Sequence, residues 1–84
     1  MDDFEKIALV RTIEPKLNAV GLRCELSGVD IEDARYLVVW HPEFNREDSE
    51  QYVELSNLSS GKETAKTILY DLIVDLRNSA QNYD

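Results

Sequence analysis

The sequence predicts an α+β fold in the order helix, strand, strand, strand, helix, with a three-stranded antiparallel meander and both helices packed on one of its faces. Three observations point there: apolar residues at helical spacing near both ends of the chain, three alternating apolar stretches between them, and a capping signal ahead of each helix. With 84 residues, the chain is read as a single compact domain over 1–84 with one hydrophobic core.

The first helix opens at Asp2, whose carboxylate can accept from free N–H groups, with Glu5 three residues later and Asp3 adding favourable charge. Leu9, Val10, Ile13, Leu17 and Val20 then fall on one stripe, and the phase runs through Pro15 without a slip. The helix is therefore expected to continue through Pro15, bending there; the alternative is a break after Glu14 and a second short helix. Gly21 supplies the stop.

Leu22, Cys24 and Leu26 alternate with Arg23, Glu25 and Ser27 as a half-buried strand, and Gly28 to Ala34 turns the chain. Arg35 to His41 is the central strand and stops at Pro42, which cannot donate to a ladder. A long polar connection runs from Glu43 to Ser49. Gln51, Val53 and Leu55 then form a third strand with Tyr52 and Glu54 on its other side. Ser60 and Glu63 have capping-box spacing ahead of the last helix, whose apolar face is Ala65, Ile68, Leu69, Leu72, Ile73, Leu76 and Ala80.

The central strand is apolar on both faces, and one helix layer can cover only one of them. Turning Tyr36, Val38 and Trp40 inward fills more volume, so Leu37 and Val39 are expected on the open face near Arg23, Tyr52 and Glu54. The opposite register would expose an aromatic stripe instead. Either way an apolar patch remains, and on so small a protein such a patch marks an interface more often than an idle surface. The partner-binding residues expected on the sheet face are thus Leu37, Val39, Tyr52 and Arg23, and Tyr70 with Val74 on the last helix repeats the hint.

Composition sets the chemistry of the partner. There are 17 acidic and 9 basic residues, a net charge of −8, which disfavours phosphate backbones and anionic lipid and favours basic proteins. Carboxylates cluster at Asp30, Glu32 and Asp33 in the first turn and at Glu43, Glu47, Asp48 and Glu50 in the second connection. Neither run has the alternating ligands and central glycine of a calcium loop, and no metal or cofactor site is expected. Cys24 is the sole cysteine and His41 the sole histidine, so no disulfide, zinc cluster or activated nucleophile is expected; Cys24 reads as a small core residue and His41 as a strand-end residue beside Pro42. The N-terminus lacks a basic region leading into an apolar run, and no stretch reaches membrane-spanning length, so the expected compartment is the cytoplasm.

Gly61-Lys62-Glu63-Thr64-Ala65-Lys66, within this order of elements, resembles the basic start of the second helix in double-stranded RNA-binding domains. The resemblance implies a nucleic-acid binder that grips phosphates with Lys62 and Lys66. Here Glu63 stands where that family has a second adjacent lysine, and Asp30, Glu32 and Asp33 occupy the turn that in that family reaches a minor groove. The leading expectation is a non-enzymatic interaction module, in one form an inhibitor of a nucleic-acid-handling protein that presents carboxylates in place of phosphates. The alternatives are the RNA-binding-domain-like binder and a homodimeric structural module.

Overall fold

The computed structural model describes residues 2–81. Helix α1 spans Asp3–Ala19, β1 Arg23–Leu26, β2 Tyr36–Trp40, α2 Arg46–Ser49, β3 Gln51–Glu54, α3 Leu55–Ser59 and α4 Ala65–Gln81, with a 3-10 turn at Ile31–Asp33. The strands form an antiparallel sheet in the order β1-β2-β3. Ile13 and Leu17 of α1 share one buried cluster with Ile68 and Leu72 of α4 and with Leu22, Leu37, Val39 and Val53, so both long helices lie on one face of the sheet. The α+β meander expected from the sequence is the fold.

Helix α1 starts as expected: an Asp2 carboxylate oxygen accepts from the Glu5 N–H at 2.8 Å. It continues through Pro15 as one helix. At its end Leu22 N–H donates to Leu17 O at 2.9 Å and Gly21 N–H to Asn18 O at 3.1 Å, the paired bonds of a Schellman cap. That cap requires a left-handed residue at Gly21, where φ is +87°. Of the stripe read from the sequence, Ile13 and Leu17 are buried, Leu9 and Val10 pack at the margin, and Val20 is exposed beyond the core.

Two short helices lie where the sequence suggested strand or coil. The third strand ends at Glu54 rather than Leu55. Leu55 N–H still donates to Arg35 O at 3.0 Å, so the ladder is extended by one bond before the chain coils into α3 and buries Leu55 and Leu58. The polar connection after β2 holds α2, a single turn capped by Asn45, which ends at the buried Ser49. The Ser49 hydroxyl accepts from His41 N–H at 3.3 Å and so ties α2 to the end of β2.

The capping residue of α4 is also corrected. Ser60 belongs to the C-terminus of α3, where its hydroxyl donates to Asn57 O at 3.1 Å, and Gly61 and Lys62 close a second Schellman cap on Leu58 and Asn57. Thr64 caps α4 instead: its hydroxyl oxygen accepts from Thr67 N–H at 3.2 Å. The unforeseen α3 takes up the serine that would otherwise have capped α4. Of the apolar face of α4, Ile68 and Leu72 are fully buried and Ala65, Leu69 and Leu76 pack against the cluster, whereas Ile73 is exposed; the side chain of Ala80 lies outside the described residues.

Candidate interaction surface

Strand pairing decides which face of β2 is covered. Leu26 stands opposite Leu37, Cys24 opposite Val39, and Leu37 opposite Val53, so these residues share the helix side. Leu37 and Val39 are fully buried in the core, and the expectation that they line the open face is therefore overturned. The reason is register: Arg23, Glu25 and Glu54 are cross-strand partners of Trp40, Val38 and Tyr36, and turning the aromatic set inward would carry those charges into the core. Arg23 and Tyr52 do lie on the open face, as expected.

The open face thus carries Tyr36, Val38 and Trp40 down its middle. Val38 is only 4 % exposed although among the described residues no second layer covers it; its same-face neighbours are Tyr36 and Trp40 along β2, with Glu25 and Tyr52 across the ladder. Tyr36 and Tyr52 meet edge to face with centroids 6.1 Å apart. At the other end the Arg46 guanidinium of α2 lies 4.2 Å from the centre of the Trp40 ring. Glu25 and Glu50 both pair with that guanidinium, and the Tyr52 hydroxyl donates to Glu50 at 3.1 Å. This hydrogen bond to Glu50, with the charge of that carboxylate, raises the Tyr52 pKa above its ordinary value. The surface therefore consists of aromatic rings edged by carboxylates, with the Arg46 guanidinium seated on the Trp40 ring and Arg23 at the β1 margin.

The acidic loops named from the sequence are not brought together. Asp30, Glu32 and Asp33 lie by the 3-10 turn between β1 and β2, and Glu43, Glu47 and Asp48 lie between β2 and β3, at the opposite end of an antiparallel sheet. All six are exposed, and Glu50 is half-buried. A different set of acids does converge. Glu50 and Glu54 of the β3 region, Glu63 before α4, and Asp71 and Asp75 on α4 line one groove along β3. Gln51 donates to Asp75 across it, and Glu63 Oε2 is buried without a hydrogen-bond partner. Helical spacing of Asp71 and Asp75 was visible in the sequence, but their approach to β3 depends on how α4 crosses the sheet.

The remaining candidates separate. On α4, Tyr70 is 68 % exposed and Val74 half-buried; Tyr70 lines a shallow apolar hollow with Lys66, Leu69 and Ile73. Lys62 and Lys66 are exposed, and Lys66 stands in the first turn of α4. His41 Nδ1 accepts from Glu43 N–H at 3.2 Å while its ring packs on Phe44. Cys24 is half-buried on the helix side, and burial, with the charge of Glu14, pushes its thiol up to about 11. Among the described residues no three potential metal ligands cluster, and no helix is long and apolar enough to cross a membrane.

One buried cation escaped the sequence reading. Lys6 is only 6 % exposed, and its ammonium donates to Ile31 O at 2.6 Å and Glu32 O at 2.9 Å, pinning α1 to the 3-10 turn. Comparison with protein-family models, with curated proteins and with solved structures finds no match for the chain, so the functional reading is carried by the geometry and chemistry of this surface.

Proposed function

We propose that the protein is a non-enzymatic interaction module that docks a basic protein segment on the open sheet face. The observation that carries this reading is Arg46: a guanidinium stacked on Trp40 and held by Glu25 and Glu50 is a worked example of how this face receives a cation. The other end of the face repeats the ingredients, with the Tyr36–Tyr52 pair beside Glu54. The ion pairs among the described residues are those of Arg46, so Glu54 is available to an incoming cation. A net charge of −8 favours such a partner at long range and opposes self-docking of the same surface. In its most specific form the partner is a nucleic-acid-handling protein and the carboxylates take the place of phosphates.

Trp40, the sole tryptophan, is a reporter built into the surface. Titration with a short arginine-rich peptide should change its emission saturably, with an affinity that falls as salt is added. Tyr52→Ala combined with Glu54→Gln should weaken that response. Tight, steeply salt-dependent binding of duplex RNA that is lost in Lys62→Glu with Lys66→Glu would overturn the reading in favour of the nucleic-acid alternative.

A further inference from the structure

We infer that the basic segment binds by adding a strand to the free edge of β3. This rests on the reading above and says how the partner is held. Leu55 and Arg35 form a hydrogen-bonded pair, so by the alternation of an antiparallel ladder Val53 and Gln51 turn their amides toward β2. Tyr52 and Glu54 therefore turn their N–H and C=O groups away from the sheet, and β3 is an outer strand of it. No proline, lysine or bulge blocks this edge; what guards it is its length of four residues and the negative charge of Glu54, which repels a like-charged strand and admits a basic one. What lines it is negative: Glu50, Glu54, Glu63, Asp71 and Asp75.

This charge chooses the occupant. A second copy of β3 would bring Glu54 and its neighbours against their own kind, whereas a strand bearing lysine or arginine would find carboxylates on both of its sides. Side chains on one side of the added strand would meet Glu54 and the Tyr36–Tyr52 pair. Those on the other side would meet Asp71 and Glu63, whose buried Oε2 has no partner of its own. Main-chain bonds would supply affinity and the alternating cations specificity, as in other strand-addition complexes.

The test uses the full chain and a capped peptide in which pairs of lysines alternate with pairs of valines, so that each face of the strand bears cations, with binding followed by Trp40 emission and amide hydrogen exchange. Saturating peptide should slow exchange at Tyr52 and Glu54 by about tenfold or more, while the outward amides of Cys24 and Leu26 on the opposite edge keep their rates. Glu54→Pro adds a second measure, because Glu54 already has φ −63° and its N–H faces outward, so proline fits the backbone and removes a single outer donor. It should bind about three- to tenfold more weakly than Glu54→Gln, which loses the charge alone. If the peptide binds but the Tyr52 and Glu54 amides exchange unchanged and the two variants bind equally, strand addition is wrong while the basic-partner reading stands. If neither this peptide nor the arginine-rich one perturbs Trp40, both fall. Protection of the same amides on raising protein concentration alone would make the occupant a second copy and overturn the assignment of this edge to a basic segment.

Discussion

The two faces of the sheet hide their apolar side chains by different means. On the helix side, Leu37 and Val39 are covered by a layer, with Leu17, Ile68 and Leu72 closing over them. On the open side, Val38 is nearly as well hidden, yet its neighbours on that face are flanking side chains, Tyr36, Trp40, Tyr52 and Glu25, with the Arg46 guanidinium lying on the tryptophan. The first kind of burial contributes stability at about 25 cal/mol per Å² of apolar surface and offers nothing to a partner. The second leaves rings whose faces and polar atoms still reach water, so the same residues that shield β2 remain able to bind. A strand apolar on both sides therefore needs no second layer when one set is aliphatic and the other amphipathic.

The largest effect expected from this contrast is on the covered face. Leu37→Ser with Val39→Ser should abolish cooperative thermal melting, since a single large-to-small change in a core already costs about 2–5 kcal/mol and here hydroxyls would also be buried. A cooperative melt near the wild-type temperature would mean that the helix layer does not seal this side. Lys6→Met should come next, at about 1–3 kcal/mol, because the carbonyls of Ile31 and Glu32 lose their donor where α1 meets the 3-10 turn. Urea titration would measure it, and an unchanged midpoint would show that these carbonyls are satisfied by water.

Tyr36→Ser with Trp40→Ser should keep the fold at a cost of about 1–2 kcal/mol while abolishing the peptide response, which must then be followed by amide shifts. Unfolding of this variant would erase the distinction between the faces. The smallest effect is at Cys24, whose thiol is pushed up to about 11 from 9.0. The fold prefers the protonated thiol, so this contribution is fully present below pH 9.0 and is lost as pH rises through about 11. Native protein should accordingly react slowly with a thiol reagent near neutrality and faster as pH climbs. Reaction at the rate of the urea-unfolded chain near neutrality would show that the thiol is open to solvent.

How much of this was legible follows the same division. Helix α1 with its Asp2 cap and Gly21 stop, the passage through Pro15, the strand order and the covered stripe of α4 could all be read, because each rests on periodicity or on a local capping residue. The face of β2 could not be read from β2 itself. Both of its registers are apolar, and the choice is made by the parity of the connections that set Arg23, Glu25 and Glu54 opposite the aromatic set. Helix α3 was hidden because Leu55 continues the alternation of Gln51 and Val53, and its missing turn shifted the cap of α4 from Ser60 to Thr64. The pinning of Lys6 and the acidic groove along β3 depend on contacts between distant segments, for which a single sequence carries no signal.

Each strand pairs only with its neighbour in the chain, and among the described residues the first and last helices, α1 and α4, pack against each other. Loop-closure entropy within the meander is therefore small, and the most expensive ring to close is the one completed when the last helix docks. Folding should accordingly begin in the meander and finish with α4, so that truncating Ile68 or Leu72 to Ala would accelerate unfolding far more than it slows refolding in a chevron measurement. Equal changes in both arms would place α4 in the folding nucleus. On this order of events, the groove beside β3 is the last part of the molecule to exist, because its far wall arrives with α4.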